Sequence, residues 1–167
     1  MSVVPEAPLS VIAEIGIAFI GFTGVIFMLS NRVQEEKKFR LIFLVLMATQ
    51  VTFCALLPFG IEGFIEDEDL IWRIAISAFA ITSLSFSAHA LKGIVSGSLS
   101  TQTPVFRTIL LVSGIVVGST AALSALGIGF RPSHSLLVIC LTWQILSVIS
   151  LFVFTLQYLW REDSDDA

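Results

Sequence analysis

Residues 41–61, LIFLVLMATQVTFCALLPFGI, run for 21 positions without a charged side chain. An α-helix rises about 1.5 Å per residue and the hydrocarbon core of a bilayer is about 30 Å thick, so roughly 20 apolar residues span it. The run lacks the apolar–polar alternation of a barrel strand, which would also be only about ten residues long. In lipid a backbone must bond its own N–H and C=O groups, and an uncharged run of this length does so as a helix.

Four further stretches read the same way. Ile74–Leu91 has 18 uncharged residues, Thr108–Phe130 has 23 and Pro132–Trp160 has 29, while Pro8–Asn31 is interrupted only by Glu14. The expectation is an all-α, polytopic membrane protein of five transmembrane helices, at about 9–29, 41–61, 71–91, 107–128 and 136–158. These form one transmembrane domain, residues 1–167, ending in a disordered acidic tail at 161–167. Composition agrees: 56% of the 167 residues are hydrophobic and 13% charged, more apolar surface than a water-soluble chain of this size can bury. The first apolar stretch has neither a basic leader nor a small-x-small cleavage site, so it is read as a span and not as a signal peptide.

The basic residues set the expected orientation. Arg32, Lys37, Lys38, Arg40, Lys92, Arg107 and Arg161 fall on one side, against Arg73 and Arg131 on the other, seven to two. By the positive-inside tendency the N-terminus is outside and the C-terminus cytoplasmic, in the plasma (inner) membrane of a prokaryote. Trp72, Tyr158 and Trp160 sit where an interfacial aromatic belt would lie. Arg32–Arg40 holds neither proline nor glycine and is compatible with an extension of the second helix. Gly93–Pro104 has the composition of a flexible linker, and Pro58 is placed to kink the second helix.

Charge and motif content exclude several classes. A net charge of −4 disfavours nucleic acid as a partner. Cys54 and Cys140 form no CxxC or zinc spacing and read as small packing residues, a disulfide between them having only similar depth in its favour. His89 and His134 fall at opposite membrane faces and cannot share a haem. There is no P-loop, HExxH, GxSxG or dinucleotide fingerprint, so neither an enzymatic site nor a cofactor is expected.

The polar residues inside the apolar stretches are the candidate site. Glu14 is the sharpest, because a carboxylate at the bilayer centre costs about 2.5–3.5 kcal/mol on insertion scales, less off centre. On a helical wheel it shares a stripe with Ala18, Gly21 and Val25, beside a second stripe holding Ala13 and Gly24. Small residues admit a close neighbour, so Glu14 is expected at a helix–helix contact facing the protein interior. Ser77, Thr142 and Ser124 fall at its depth, with Thr120 and Gln144 about a turn deeper, and Glu14 is expected to reach one of these or its counterpart in a second copy. Gly114 and Gly118 form a second small-residue face. Thr82, Ser85, His89 and Lys92 recur at spacings of 3, 4 and 3, a polar stripe that either lines a wet path or consists of hydroxyls bonded back to their own helix. Gln50 and Gln144 occupy matching places in their helices, a faint sign of an inverted repeat. Glu62, Glu66, Asp67, Glu68 and Asp69 form an outer acidic loop, suited to a cation vestibule or, more plainly, to capping the third helix.

Two functions fit these residues. One is a homo-oligomeric channel or transporter for protons, cations or a small solute, with Glu14 as the titrating group. The other is a non-conducting accessory or scaffold subunit of a larger membrane complex. The partners expected are the bilayer and further membrane subunits, whether copies of itself or not.

Overall fold

A computed structural model describes residues 6–29, 35–95, 108–109 and 111–165. Among these residues the chain is all helix and turn, without a strand. The helices are α1 (Glu6–Leu29), α2 (Glu35–Glu62), α3 (Glu68–Val95), a π-helical segment at Ser113–Val117 continuing into α4 (Gly118–Ala125), and α5 (His134–Asp165). Four of them, over Ala7–Met28, Leu41–Glu62, Glu68–Lys92 and His134–Gln157, are long and apolar enough to cross a membrane. This is the make-up of a multi-pass membrane protein.

The fourth helix departs from expectation. Residues 108, 109, 111 and 112 are helical, but the apolar helix proper is the shorter Ser113–Ala125, opened by the π segment and ending before residue 128. Its end has a physical cause. Gly127 takes a left-handed backbone (φ 77°), donating its N–H to Ser124 O while Ile128 N–H reaches back to Leu123 O. That is a Schellman stop, which a residue with a Cβ enters only under strain. Gly129 (φ 85°) turns the chain again before Ser133 caps α5, its Oγ accepting from Leu136 N–H at 3.4 Å.

Elsewhere the helices are longer than the apolar runs. α2 starts at Glu35, inside the charged connection, and α5 continues through Asp165 where a disordered tail was expected. Pro58 lies within α2, which continues to Glu62. α3 starts where the acidic loop ends because Asp67 Oδ1 accepts from the N–H groups of Asp69 (3.0 Å) and Leu70 (3.4 Å). The Gly93–Pro104 linker falls mostly outside the described residues.

Packing follows chain order. α2 lies between α1 and α3, α3 also packs on the π segment and α4, and α5 lies across the row and touches every other element. α1 is the peripheral member: 22% of its most apolar window is buried, against 56% for α2. The core has two apolar parts. The larger gathers Leu9, Val51, Cys54, Ile71, Phe79, Leu137 and Leu141 in the half of the bundle holding the 62–68 turn. The smaller gathers Phe43, Leu44, Met47, Val148 and Leu151 in the other half. Trp72 is buried (2% exposed), its Nε1–H donating to Glu68 Oε1 at 3.2 Å and its ring edge-on to His134. The side chains of Tyr158 and Trp160 lie outside the described residues. Cys54 and Cys140 are both buried and free, so no disulfide joins them.

Close approach is carried by three glycines. A Cβ on Gly114 would collide with Ser87 Oγ and stand 3.2 Å from the Ser83 carbonyl oxygen, and one on Gly118 would meet Leu84 and the Ser83 Cβ at 3.2 Å. The small-residue face of the fourth helix therefore packs inside the subunit, against α3. On α1 the tight glycine is Gly16, whose Cβ would collide with Thr52 Oγ1. Gly21 and Gly24, expected to mediate packing, have nothing within 4 Å of a built Cβ among the described residues.

Candidate functional site

Between the two apolar cores lies a polar layer on α2 and α3. Gln50, 5% exposed at the middle of α2, donates both amide hydrogens across to α3, to Thr82 Oγ1 at 3.0 Å and Ser83 Oγ at 2.7 Å. The Thr82 hydroxyl is already committed as a donor, to the carbonyls of Ala78 (2.9 Å) and Phe79 (3.0 Å), so it is free to accept. Ser83 is the partner that sequence reasoning missed. Its spacing to Ser87 was visible, but nothing in the sequence showed that this pair, one step round the helix from Thr82 and Ser85, faces α2 and the fourth helix. The Gln50 Oε1 is buried without a partner, as are Gln144 Oε1 and Ser124 Oγ. Oxygens of this kind are ordinarily satisfied by internal water.

The Thr82–Ser85–His89 stripe is brought together as its spacing suggested. These three line one side of a groove of about 470 Å³ between α2 and α3, facing Ile42, Phe43 and Leu46, with Ile81 and Phe86 beside them. The hydroxyls are bonded to their own helix: Ser85 donates to Ile81 O at 2.7 Å, as Thr82 does one turn earlier. His89 and Lys92 are exposed at the end of α3. The groove opens laterally on the bundle surface.

Most other hydroxyls are spent the same way. Thr49 donates to Val45 O, Thr52 to Ala48 O, Thr120 to Val116 O and Thr142 to Val138 O, each four residues back. Such back-bonding satisfies a hydroxyl in lipid without recruiting another helix. Gln144 is buried (3% exposed) and Ser77 half-buried, and neither bonds Glu14. The carboxylates of the 62–69 turn serve the helix start: Asp67 caps α3, Glu68 holds Trp72, and Glu66 and Asp69 are exposed.

Glu14 is the correction that matters most. It does not face the interior; its side chain is exposed on the outer face of α1, with no hydrogen bond or ion pair to another described residue. Val11, Ile17, Ala18, Gly21, Phe22 and Val25 are exposed along with it. The helical wheel grouped Glu14 with Ala18, Gly21 and Val25 correctly, but that stripe looks away from the bundle. The buried face of α1 is the one carrying Leu9, Ile12, Ala13, Gly16 and Thr23.

No known protein family, curated protein or solved structure matches this chain.

Proposed function

We propose that this chain is a laterally assembling membrane subunit that docks through the outward face of α1 and does not conduct as a single chain. The observation that carries the proposal is Glu14, set on a stripe of small residues on the least buried helix. Glu14 lies eight residues after Glu6, about 12 Å along the helix axis. Left against lipid, a carboxylate there has no compensating partner, whereas the flanking Ala18 and Gly21 let a second helix approach and bury it. A second copy meets the need, because a twofold contact sets the two Glu14 side chains side by side and out of the lipid. The interior supports the non-conducting part: most hydroxyls of one chain bond back to their own helix, and the groove between α2 and α3 opens to the side.

The orientation proposed is N-terminus outside and C-terminus cytoplasmic in a prokaryotic plasma membrane, on the seven-to-two division of basic residues. Cysteine labelling in intact cells is expected to reach residue 67 and to miss residue 35 and the C-terminus until the membrane is opened. A C-terminus labelled from outside would reverse the assignment.

Assembly is tested by oxidative crosslinking in native membranes. Ala18→Cys and Val25→Cys are expected to form covalent dimers, whereas Ile139→Cys, exposed on α5, is not. Absence of crosslinking at both α1 positions, with crosslinking elsewhere, would remove the α1 interface.

A second reading is kept by the same residue. If copies meet along Glu14, protons or cations can pass between them there instead of through one bundle. Proteoliposomes of the wild-type chain are expected to show no proton flux above protein-free vesicles. Flux that disappears in Glu14→Gln would replace the scaffold reading with an oligomeric pathway.

A further inference from the structure

The groove between α2 and α3 has an uneven chemistry that an ordinary lipid-facing surface lacks. One wall is apolar, formed by Ile42, Phe43 and Leu46. The other carries Thr82, Ser85 and His89 at successive turns, and Lys92 continues that stripe three residues beyond His89 at the last turn of α3. Seven residues separate Thr82 from His89, about 10 Å along the axis, so the polar rail runs from mid-bundle to the helix end. Among the described residues of the rail, the imidazole of His89 and the ammonium of Lys92 stand at that end.

The groove is also preformed. Gln50 braces its deep end by bonding Thr82 and Ser83, and Phe43 packs edge-on to Phe86 with ring centroids 5.8 Å apart. An occupant therefore need not order the walls, which lowers the cost of binding.

We propose that this groove binds an anionic phospholipid of the leaflet into which the C-terminal end of α3 emerges. One acyl chain lies against Ile42, Phe43, Leu46 and Phe86, and the phosphate sits on Lys92 and His89. The hydroxyls of Ser85 and Thr82 donate their hydrogens to their own helix, so lipid can lie over them without leaving a hydroxyl hydrogen unpaired. The inference rests on the chain spanning a bilayer, but not on α1 docking or on the orientation, because the lipid is defined by the α3 end and not by a named leaflet. Charge complementarity selects the occupant: an ammonium beside an imidazole at the mouth of an apolar slot favours a phosphodiester with net negative charge over a zwitterionic headgroup.

The test uses the full chain, purified in mild detergent and exchanged into an equimolar mixture of phosphatidylglycerol and phosphatidylcholine, with bound lipid counted by native mass spectrometry. Wild type is expected to retain phosphatidylglycerol about fivefold over phosphatidylcholine, the preference one Lys supplies near an anionic surface. His89→Ala/Lys92→Ala is expected to bring the ratio to about one while still holding lipid. Ser85→Trp, a change at an exposed position that fills the slot, is expected to lose both lipids with helicity unchanged. Equal retention of the two lipids by wild type would overturn the proposal, as would a double variant with the wild-type ratio. Inorganic phosphate that raised the melting temperature as much as phosphatidylglycerol would show a free-anion site and overturn it too.

Discussion

Gly114→Leu is expected to prevent the chain from accumulating as a folded protein. The position has no room for even one added carbon, since a Cβ there runs into Ser87 Oγ and crowds the Ser83 backbone oxygen. Ser87 cannot simply rotate away without giving up its 2.9 Å bond to Ser83 O. A leucine adds three further carbons at the same contact, and overpacking of this kind costs about 1–3 kcal/mol, more where backbone must move. The fourth helix is short and π-interrupted, and its main support is this same packing against α3. Thermal unfolding in detergent is the measurement. Gly114→Ala is expected to lower the midpoint, Ser87→Gly in that background to restore much of it, and Gly114→Leu to yield no cooperative transition. A leucine variant that melted like wild type would mean α3 and the fourth helix do not pack as described.

Gly21→Leu is expected to do the opposite, leaving the melting of the single chain unchanged while breaking assembly. Nothing lies within 4 Å of a Cβ at Gly21, so leucine fits in one chain, but it stands on the stripe where a second α1 must approach. Glu14 supplies the other half of the contrast. Interhelical hydrogen bonds in lipid are worth about 0.6–2 kcal/mol each, so losing one from each copy weakens a dimer by on the order of tenfold to several-hundredfold. Glu14→Leu and Gly21→Leu are expected to show this loss in dimer dissociation measured by energy transfer in vesicles. Glu14→Gln, which still donates and accepts, is expected to stay within a few-fold of wild type. Dimers of Gly21→Leu as stable as those of wild type would show that the α1 stripe faces lipid.

The two glycines show where the sequence was legible. Uncharged runs located four membrane-length helices, because lipid leaves a backbone no other option. The fourth run looked equally long. Its π segment and early stop depend on local backbone geometry at Ser113–Val117 and Gly127, which apolar content does not report. Periodicity put Thr82, Ser85 and His89 on one wall, and it put Glu14 with Ala18 and Gly21. It could not say which way either stripe points, because a small-residue face suits the inside of a bundle and the contact between two copies equally well. Gly16, the residue that joins α1 to α2, differed from Gly21 and Gly24 by nothing the sequence displayed. Gln50 stood out as an amide in an apolar run, while its partners depended on the depth at which α3 meets α2.

That depth has a further consequence. Helices held together only by apolar contact can slide past one another when a bilayer thickens or thins, each finding its own match to the hydrocarbon. Here Gln50 donates both amide hydrogens only while Thr82 and Ser83 stand opposite it, and a slip of one turn along α3 would put Ala78 and Phe79, or Phe86 and Ser87, in their place, losing both bonds or one. α2 and α3 are therefore pinned to each other like two rulers fixed at one mark. A change of membrane thickness must be met by tilting the pair as one body or by deforming the lipid around it.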